Sequence, residues 1–238
     1  MHMPAWKWKF ALAALVVGGG MPLAVAPLSA QEQARIATAI AAPMAALERA
    51  LSEEAQRPAA ATDTERLERM GVIDQSWRPH MGQLRLEGLS AEEIREAFAA
   101  IVARTEPIDR RHRDQVMAML PDEGWFGFSA YGRKAAEAAF HIINHSDHET
   151  RLKVLPALER MALAGEADPT AFAAMYDRVQ KAQGRPQRYG TQFDCIDHRP
   201  VLYGLEDPDR VEEFRRQMKF SITLADHVSG LEQRQVTC

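Results

Sequence analysis

Four groups of polar side chains have types and spacings that chemistry could use. Asp74-Gln75 with Arg78 sets a carboxylate, an amide and a guanidinium on one helical turn. Taken alone, such a set reads as a helix end carrying a surface ion pair, which contributes little. Glu137, His141 and His145 recur at i, i+4, i+8, with Asp147 and His148 just beyond. Imidazoles one turn apart can share a metal. The string that places a glutamate directly after the first histidine is missing, however, and the neighbours on that face are polar. A solvated stripe is therefore the stronger reading, and no metal is expected. Asp177 and Arg178 are adjacent, so a helix sends them to different faces and each needs its own partner. If either turns inward its charge must be paired. In Pro186-Gln187-Arg188-Tyr189-Gly190-Thr191-Gln192, strand alternation would put Gln187, Tyr189 and Thr191 on one face and Arg188, Gly190 and Gln192 on the other. Two glutamines beside a tyrosine suit an amide, a sugar or a carboxylate. They equally suit a buried strand that ties a hairpin to helices.

Nucleophiles are scarce. No Gly-x-Ser-x-Gly, no Ser-x-x-Lys and no glycine-rich phosphate loop is present, and the pattern calls for no cofactor. Glu123, in a loop before Gly124-Trp125, is a lone carboxylate and a weak candidate for a general acid. The sharper enzymatic reading takes His145 as a base oriented by Asp147 or Asp177, because a carboxylate on one ring nitrogen fixes the tautomer of the other.

The elements that must position these groups are mostly helical. Residues 32–57 have helical composition interrupted by Pro43, predicting a kinked helix or two short ones. A small linker, Pro58 to Thr62, precedes a helix carrying Leu67, Met70 and Val72. Ser90 and Glu93 form a capping-box signature ahead of Ile94, Phe98, Ile101 and Val102 at helical spacing. Asp122-Glu123-Gly124 is a loop, and Trp125 heads an aromatic segment. Residues 130–145 are the clearest amphipathic helix, and another covers about 147–164. Asp168-Pro169 starts a helix with a cap followed by proline at its first position. That helix ends at Gly184. Beyond it, Gln187 to Ile196 and Pro200 to Leu205 read as a β-hairpin, the one place with β-branched and aromatic alternation. Asp207-Pro208 then caps a last charged helix. The expected fold is a mainly α single domain, residues 62–238, with one antiparallel hairpin near 187–205, preceded by a helical segment and linker at 31–61.

The first thirty residues read as a cleavable signal peptide: Lys7 and Lys9, an apolar run from Phe10 to Val17, then small residues to Leu28-Ser29-Ala30. The cut is placed after Ala30, with Ala26 as the alternative. The apolar run is short of the about 20 residues that span a bilayer, so the chain is expected to be exported, periplasmic or secreted, with no stable membrane insertion. Losing Lys7 and Lys9 takes the formal charge from −4 to −6. A mildly acidic chain argues against nucleic acid as a partner. Two cysteines, Cys195 and Cys238, exclude a thiolate zinc site by count and permit one disulfide in an oxidising compartment; two free thiols are an equal alternative.

Read in order, Met70 with Asp74-Gln75 and Arg78, Gly124-Trp125, His145-Ser146-Asp147, Leu155-Pro156-x-Leu158, Asp177-Arg178-Val179, Pro186-Gln187, Tyr189-Gly190-Thr191-Gln192, Glu206-Asp207-Pro208 and Arg215-Arg216 resemble the DUF6624 family, a domain of unknown function. The resemblance runs from about Leu67 to Ala225. It implies a helical domain with one hairpin and supplies no mechanism. It also implies that Asp74, Gln75, Arg78, His145, Asp147, Asp177, Arg178, Gln187, Tyr189 and Gln192 are the family's hallmark polar positions, whereas His141 stands where the family pattern is apolar. The expected site therefore has His145, Asp147 and Asp177 as catalytic candidates. Asp74, Gln75, Arg78, Trp125, Arg178, Gln187, Tyr189, Thr191 and Gln192 are the ligand-binding candidates. The expected function is an exported domain whose polar pocket binds a small polar or peptide-like ligand. A hydrolase or other acid–base enzyme built on His145, and a structural envelope protein, are the alternatives. The Asp74, His145 and Gln187–Gln192 segments are expected to converge in one cleft.

Overall fold

The computed structural model describes residues 27–196 and 199–233. Among the described residues helices dominate: ten of them, and one two-stranded antiparallel sheet. Ala30–Ala39 (α1) and Ala41–Ala55 (α2) are two helices broken at Ile40, because Pro43 near the start of α2 supplies no backbone donor there. Asp63–Trp77 (α3) is capped by Thr62, whose side chain accepts the Glu65 amide, and it runs into a 3-10 turn, Arg78–Gln83. Ala91–Ala118 (α4) opens on the Ser90–Glu93 capping box and carries Pro107 inside it. A single turn, Phe128–Tyr131 (α5), precedes Arg133–His145 (α6), His148–Leu163 (α7) and Pro169–Ala182 (α8). The hairpin follows, Phe193–Ile196 (β1) with Arg199–Leu202 (β2), paired Phe193 to Leu202 and Ile196 to Arg199. Val211–Gln217 (α9) and Leu224–Gln233 (α10) complete the described chain.

Two apolar cores share α3 and α4. One joins Leu67 and Met70 of α3 and Val116 of α4 to α6, α7 and α8, with Trp125, Phe126 and Phe172 at its centre. The other joins Ile73 and Trp77 of α3 and Ala97, Ile101 and Ile108 of α4 to α1 and α2. Past the capping Glu93, the buried stripe of α4 is apolar except at Thr105 and His112. Asp74, on α3, is buried among these apolar neighbours.

The approach of α3 to α6 decides the site. A methyl group at Gly71 would stand 2.5 Å from the Ala138 Cβ and 3.2 Å from its Cα. Only a glycine on α3 facing an alanine on α6 lets the two backbones come this close. Asp74 follows Gly71 by about one turn, and His145 follows Ala138 by about two.

The hairpin differs from expectation in extent. Regular strands begin only at Phe193; from Gln187 to Gln192 the chain is a loop with one isolated bridge, Gln187 to Leu205. Cys195 lies on β1. Cys238, and with it the choice between a disulfide and two free thiols, lies outside the described residues, as does the signal segment up to Ala26. Among the described residues no helix is long and apolar enough to cross a membrane.

Candidate functional site

Asp74 is the centre of the polar chemistry. It is 2 % exposed, and its carboxylate accepts three side chains. His145 Nδ1 lies 3.0 Å from Oδ2 and 3.3 Å from Oδ1. Arg78 Nη2 donates to Oδ1 at 2.8 Å, and Gln75 Nε2 donates to Oδ2 at 2.7 Å. Arg78 reaches Asp74 because the two are one turn apart on a continuous helical path, and its guanidinium also lies 4.4 Å above the Trp77 ring. A second acid, Asp109 of α4, accepts from the same Arg78 nitrogen at 3.1 Å.

The electrostatics follow from burial and these partners. Burial pushes the Asp74 carboxyl up, but the hydrogen bonds from His145 and Arg78 outweigh it and hold the group far below the usual carboxylate range. Asp109 is pushed up by its burial, against the pull of Arg78 and with the push of Asp74. Since Asp74 stays ionised it can only accept, so Nδ1 of a neutral His145 carries the proton and Nε2 carries the lone pair. Nε2 makes no hydrogen bond among the described residues, and the His145 side chain keeps 21 % exposure. His141 stacks on His145, with ring centroids 6.2 Å apart and planes 18° apart. Burial, and then the neighbouring His145, hold His141 below the ordinary imidazole range. His112 of α4 is pushed down to about 4, chiefly by burial.

The carboxylate expected to orient His145 was Asp147 or Asp177, and neither does so. Asp147 is the N-cap of α7: it accepts the Thr150 amide at 2.8 Å and pairs with Arg113 at 2.8 Å. A carboxylate at a helix start is drawn to the orphan amides there, and Asp147, two residues past His145, makes no hydrogen bond to its ring among the described residues. Asp177 is fully buried and collects the amides of Arg188, Tyr189 and Thr191 at 2.8, 3.1 and 3.0 Å, with the Thr191 hydroxyl at 3.0 Å.

The Gln187–Gln192 segment is likewise occupied with itself. Gln187, with no exposure, donates to the Gln192 and Tyr203 carbonyls and accepts the Gln192 amide at 2.7 Å. Tyr189 packs edge-on against Phe172 and Tyr176, and its carbonyl accepts from the buried Arg215 at 2.8 Å. The Gln192 side-chain Nε2 donates to the Thr191 hydroxyl at 3.1 Å. Gly190 sits at φ +71° against Leu224, a bend that L side chains resist. No hydrogen bond among the described residues runs from this loop to Asp74, Gln75, Arg78 or His145. The expected convergence of three segments thus reduces to two, Asp74–Arg78 and His145.

Arg178 is the link between the halves. Its neighbour Asp177 holds the loop, while its own Nη1 donates to the Asn144 carbonyl at 3.0 Å, one residue before His145. Arg151 of α7 converges on the same carbonyl at 3.3 Å and also donates to the Ser146 carbonyl. Trp125 has a different place. Buried at 1 % exposure, it forms one wall of a cleft of about 280 Å³, shared with Phe128, Glu137, Phe140, His141 and Thr170. His141 therefore faces the cleft and stacks on His145. Among the described residues no group of three or more His, Cys, Asp or Glu is arranged to hold a metal ion.

Asp109, His112, Asn144 and Arg151 escaped the sequence reading. One signal could have found two of them: on α4 the stripe Ala97, Ile101, Ile108 and Val116 is interrupted by Thr105 and His112, polar groups at core spacing, with Asp109 beside them. Arg151 and Asn144 lie on polar faces and give no such signal.

A family model, described as a family of unknown function (DUF6624), matches residues 60–234. That range contains every residue of the site. None of the curated proteins and none of the solved structures compared matches the chain.

Proposed function

The chain belongs to the DUF6624 family, a membership that brings no activity with it, and we propose from the site itself that it is an exported acid–base enzyme. In this reading His145, oriented by Asp74, takes and returns a proton on a small polar or peptide-like ligand, as in a hydrolase that activates water. The observation that carries the reading is a buried, triply held carboxylate on His145 Nδ1, with Nε2 making no hydrogen bond among the described residues. Gln75 and Arg78 fix Asp74, Asp74 fixes the ring, and the ring presents one lone pair. A stabilising polar cluster would have little reason to leave that nitrogen out. Positioned proton transfer of this kind contributes about 10²–10⁴-fold to a rate.

The test is a panel of chromogenic esters, amides, phosphate esters and glycosides, run on the purified chain and on His145→Gln and Asp74→Asn. One substrate class should be turned over, with kcat lowered at least about 100-fold in His145→Gln and KM little changed. Turnover that is indifferent to His145→Gln refutes the reading. A ligand that stabilises the protein but is never turned over returns it to a binding domain.

Export is the second part of the proposal. It is supported by the Lys7–Lys9, apolar and small-residue order of the N-terminus. The first helix adds an argument about the cut. Ser29 caps α1: Glu32 donates its amide to Oγ at 3.3 Å and returns its carboxylate to the Ser29 amide at 2.7 Å. Cleavage after Ala30 would remove this capping box, at a cost of about 1 kcal/mol; cleavage after Ala26 would keep it. N-terminal sequencing of the secreted or periplasmic chain should find Pro27 first. Recovery of an intact Met1 in the cytosol contradicts export.

A further inference from the structure

Arg151 and Arg178 are half-buried cations without a carboxylate partner among the described residues. Each is held only by main-chain carbonyls at the C-terminal end of α6. Asp147, which favours the Arg151 charge, makes no hydrogen bond to it among the described residues; it caps α7 and bonds Arg113, which Asp114 also holds. Arg78 lies close enough to Arg178 to disfavour its charge, and Arg78 is itself shared by Asp74 and Asp109. Taking a guanidinium out of water without a counterion is costly. A helix C-terminus attracts cations, but capping the Asn144 carbonyl needs one guanidinium, and here two converge on it. The Nε atoms of Arg78 and Arg151 are buried without partners, so hydrogen bonds inside the fold do not consume all of these donors.

We propose that Arg178 and Arg151, with Arg78 beside them, are the oxyanion-binding half of the His145 site, so that its ligand carries a carboxylate or phosphate group. This rests on the reading of His145 as the reacting base and names the substrate class for it. Arg178 is the primary contact. It makes one hydrogen bond among the described residues, which leaves the rest of its donor fork for an oxyanion, and guanidinium matches such groups two bonds at a time. An anion held there would stand at the α6 end that carries His145, within the same polar cluster as the proton-transfer group.

The experiment measures binding, so it does not depend on turnover. Inorganic phosphate and acetate are titrated separately into the wild-type chain by calorimetry, with ionic strength held by sodium chloride, and melting temperature is followed in parallel. One of the two should bind and raise the melting temperature by about 5–10 °C at a hundredfold excess over Kd. Tighter binding of phosphate assigns a phosphorylated ligand, and tighter binding of acetate a carboxylate. Arg178→Lys, which keeps the charge and one donor to Asn144, should weaken binding at least about tenfold by losing the fork. His145→Gln should bind within about threefold of wild type, since it removes the base and leaves the arginines. No heat and no shift with either anion on folded wild-type protein overturns the proposal, as does Arg178→Lys binding as tightly as wild type. Binding that survives while the substrate panel stays silent refutes the enzymatic reading and leaves the anion site standing.

Discussion

Asp177→Asn is the most demanding single change in the part of the site that turned inward. In the native chain one carboxylate oxygen accepts Arg188 N at 2.8 Å and Tyr189 N at 3.1 Å; the other accepts Thr191 N and Thr191 Oγ1, both at 3.0 Å. Asparagine keeps one oxygen and puts an NH₂ where the other was. The Thr191 hydroxyl can turn and accept, but the Thr191 amide then faces a donor. The loss is one charge-assisted bond and one stranded backbone donor, each about 1.5–3 kcal/mol. Against it stands the burial that raises the Asp177 pKa, a penalty asparagine escapes. The net cost is about 2–4 kcal/mol, a large part of the about 5–15 kcal/mol that holds a domain together. Asp177→Ala strands all three amides and should cost more. Urea denaturation gives the cost, and hydrogen exchange at the Arg188, Tyr189 and Thr191 amides gives its location. A cost below about 1 kcal/mol with those amides still protected would refute the assignment of Asp177 as the lock of this loop.

Other changes test the framework. Gly71→Ala gains about 1 kcal/mol of helix propensity but forces α3 from α6 at Ala138, where overpacking costs about 1–3 kcal/mol. The variant should be less stable by denaturation and should show an altered His145 ring environment by NMR. His112 is neutral in the fold because its pKa is depressed to about 4. The unfolded chain therefore binds the extra proton between about pH 6.5 and 4, and stability falls as pH drops through that window, by at most about 3 kcal/mol. His112→Gln should flatten that stretch of the stability–pH curve, and an unchanged slope contradicts it. Asp74 acts in the same direction at lower pH: its lowered pKa means a contribution fully present above about pH 4 and lost as pH falls below it. Asp74→Asn should remove that acid limb, and an identical limb in both chains would count against it.

Much of the fold was legible because helices declare themselves locally. Ser90 with Glu93, Asp168 before Pro169 and the break near Pro43 all act within a few residues, and each appears where the sequence puts it. The Gln187–Gln192 loop misled because its alternation resembles a strand. What shapes it is a buried aspartate on α8 gathering its amides, a tertiary fact that no period reports. The partner of His145 was hidden for the same reason. Asp147 is close in sequence but belongs to a helix cap. Asp74 is 71 residues away and meets the ring only because Gly71 lets α3 close on α6.

The tautomer of His145 tests the central claim most directly. Long-range ¹H–¹⁵N correlation spectra of the wild-type chain, at a pH where the ring is neutral, distinguish a protonated from an unprotonated ring nitrogen. The account predicts a proton on Nδ1, donated to Asp74, and a lone pair on Nε2, with that preference lost in Asp74→Asn. A neutral His145 protonated at Nε2, or a tautomer unchanged by Asp74→Asn, would mean that Asp74 does not orient the ring and that the proposed proton-transfer site does not exist.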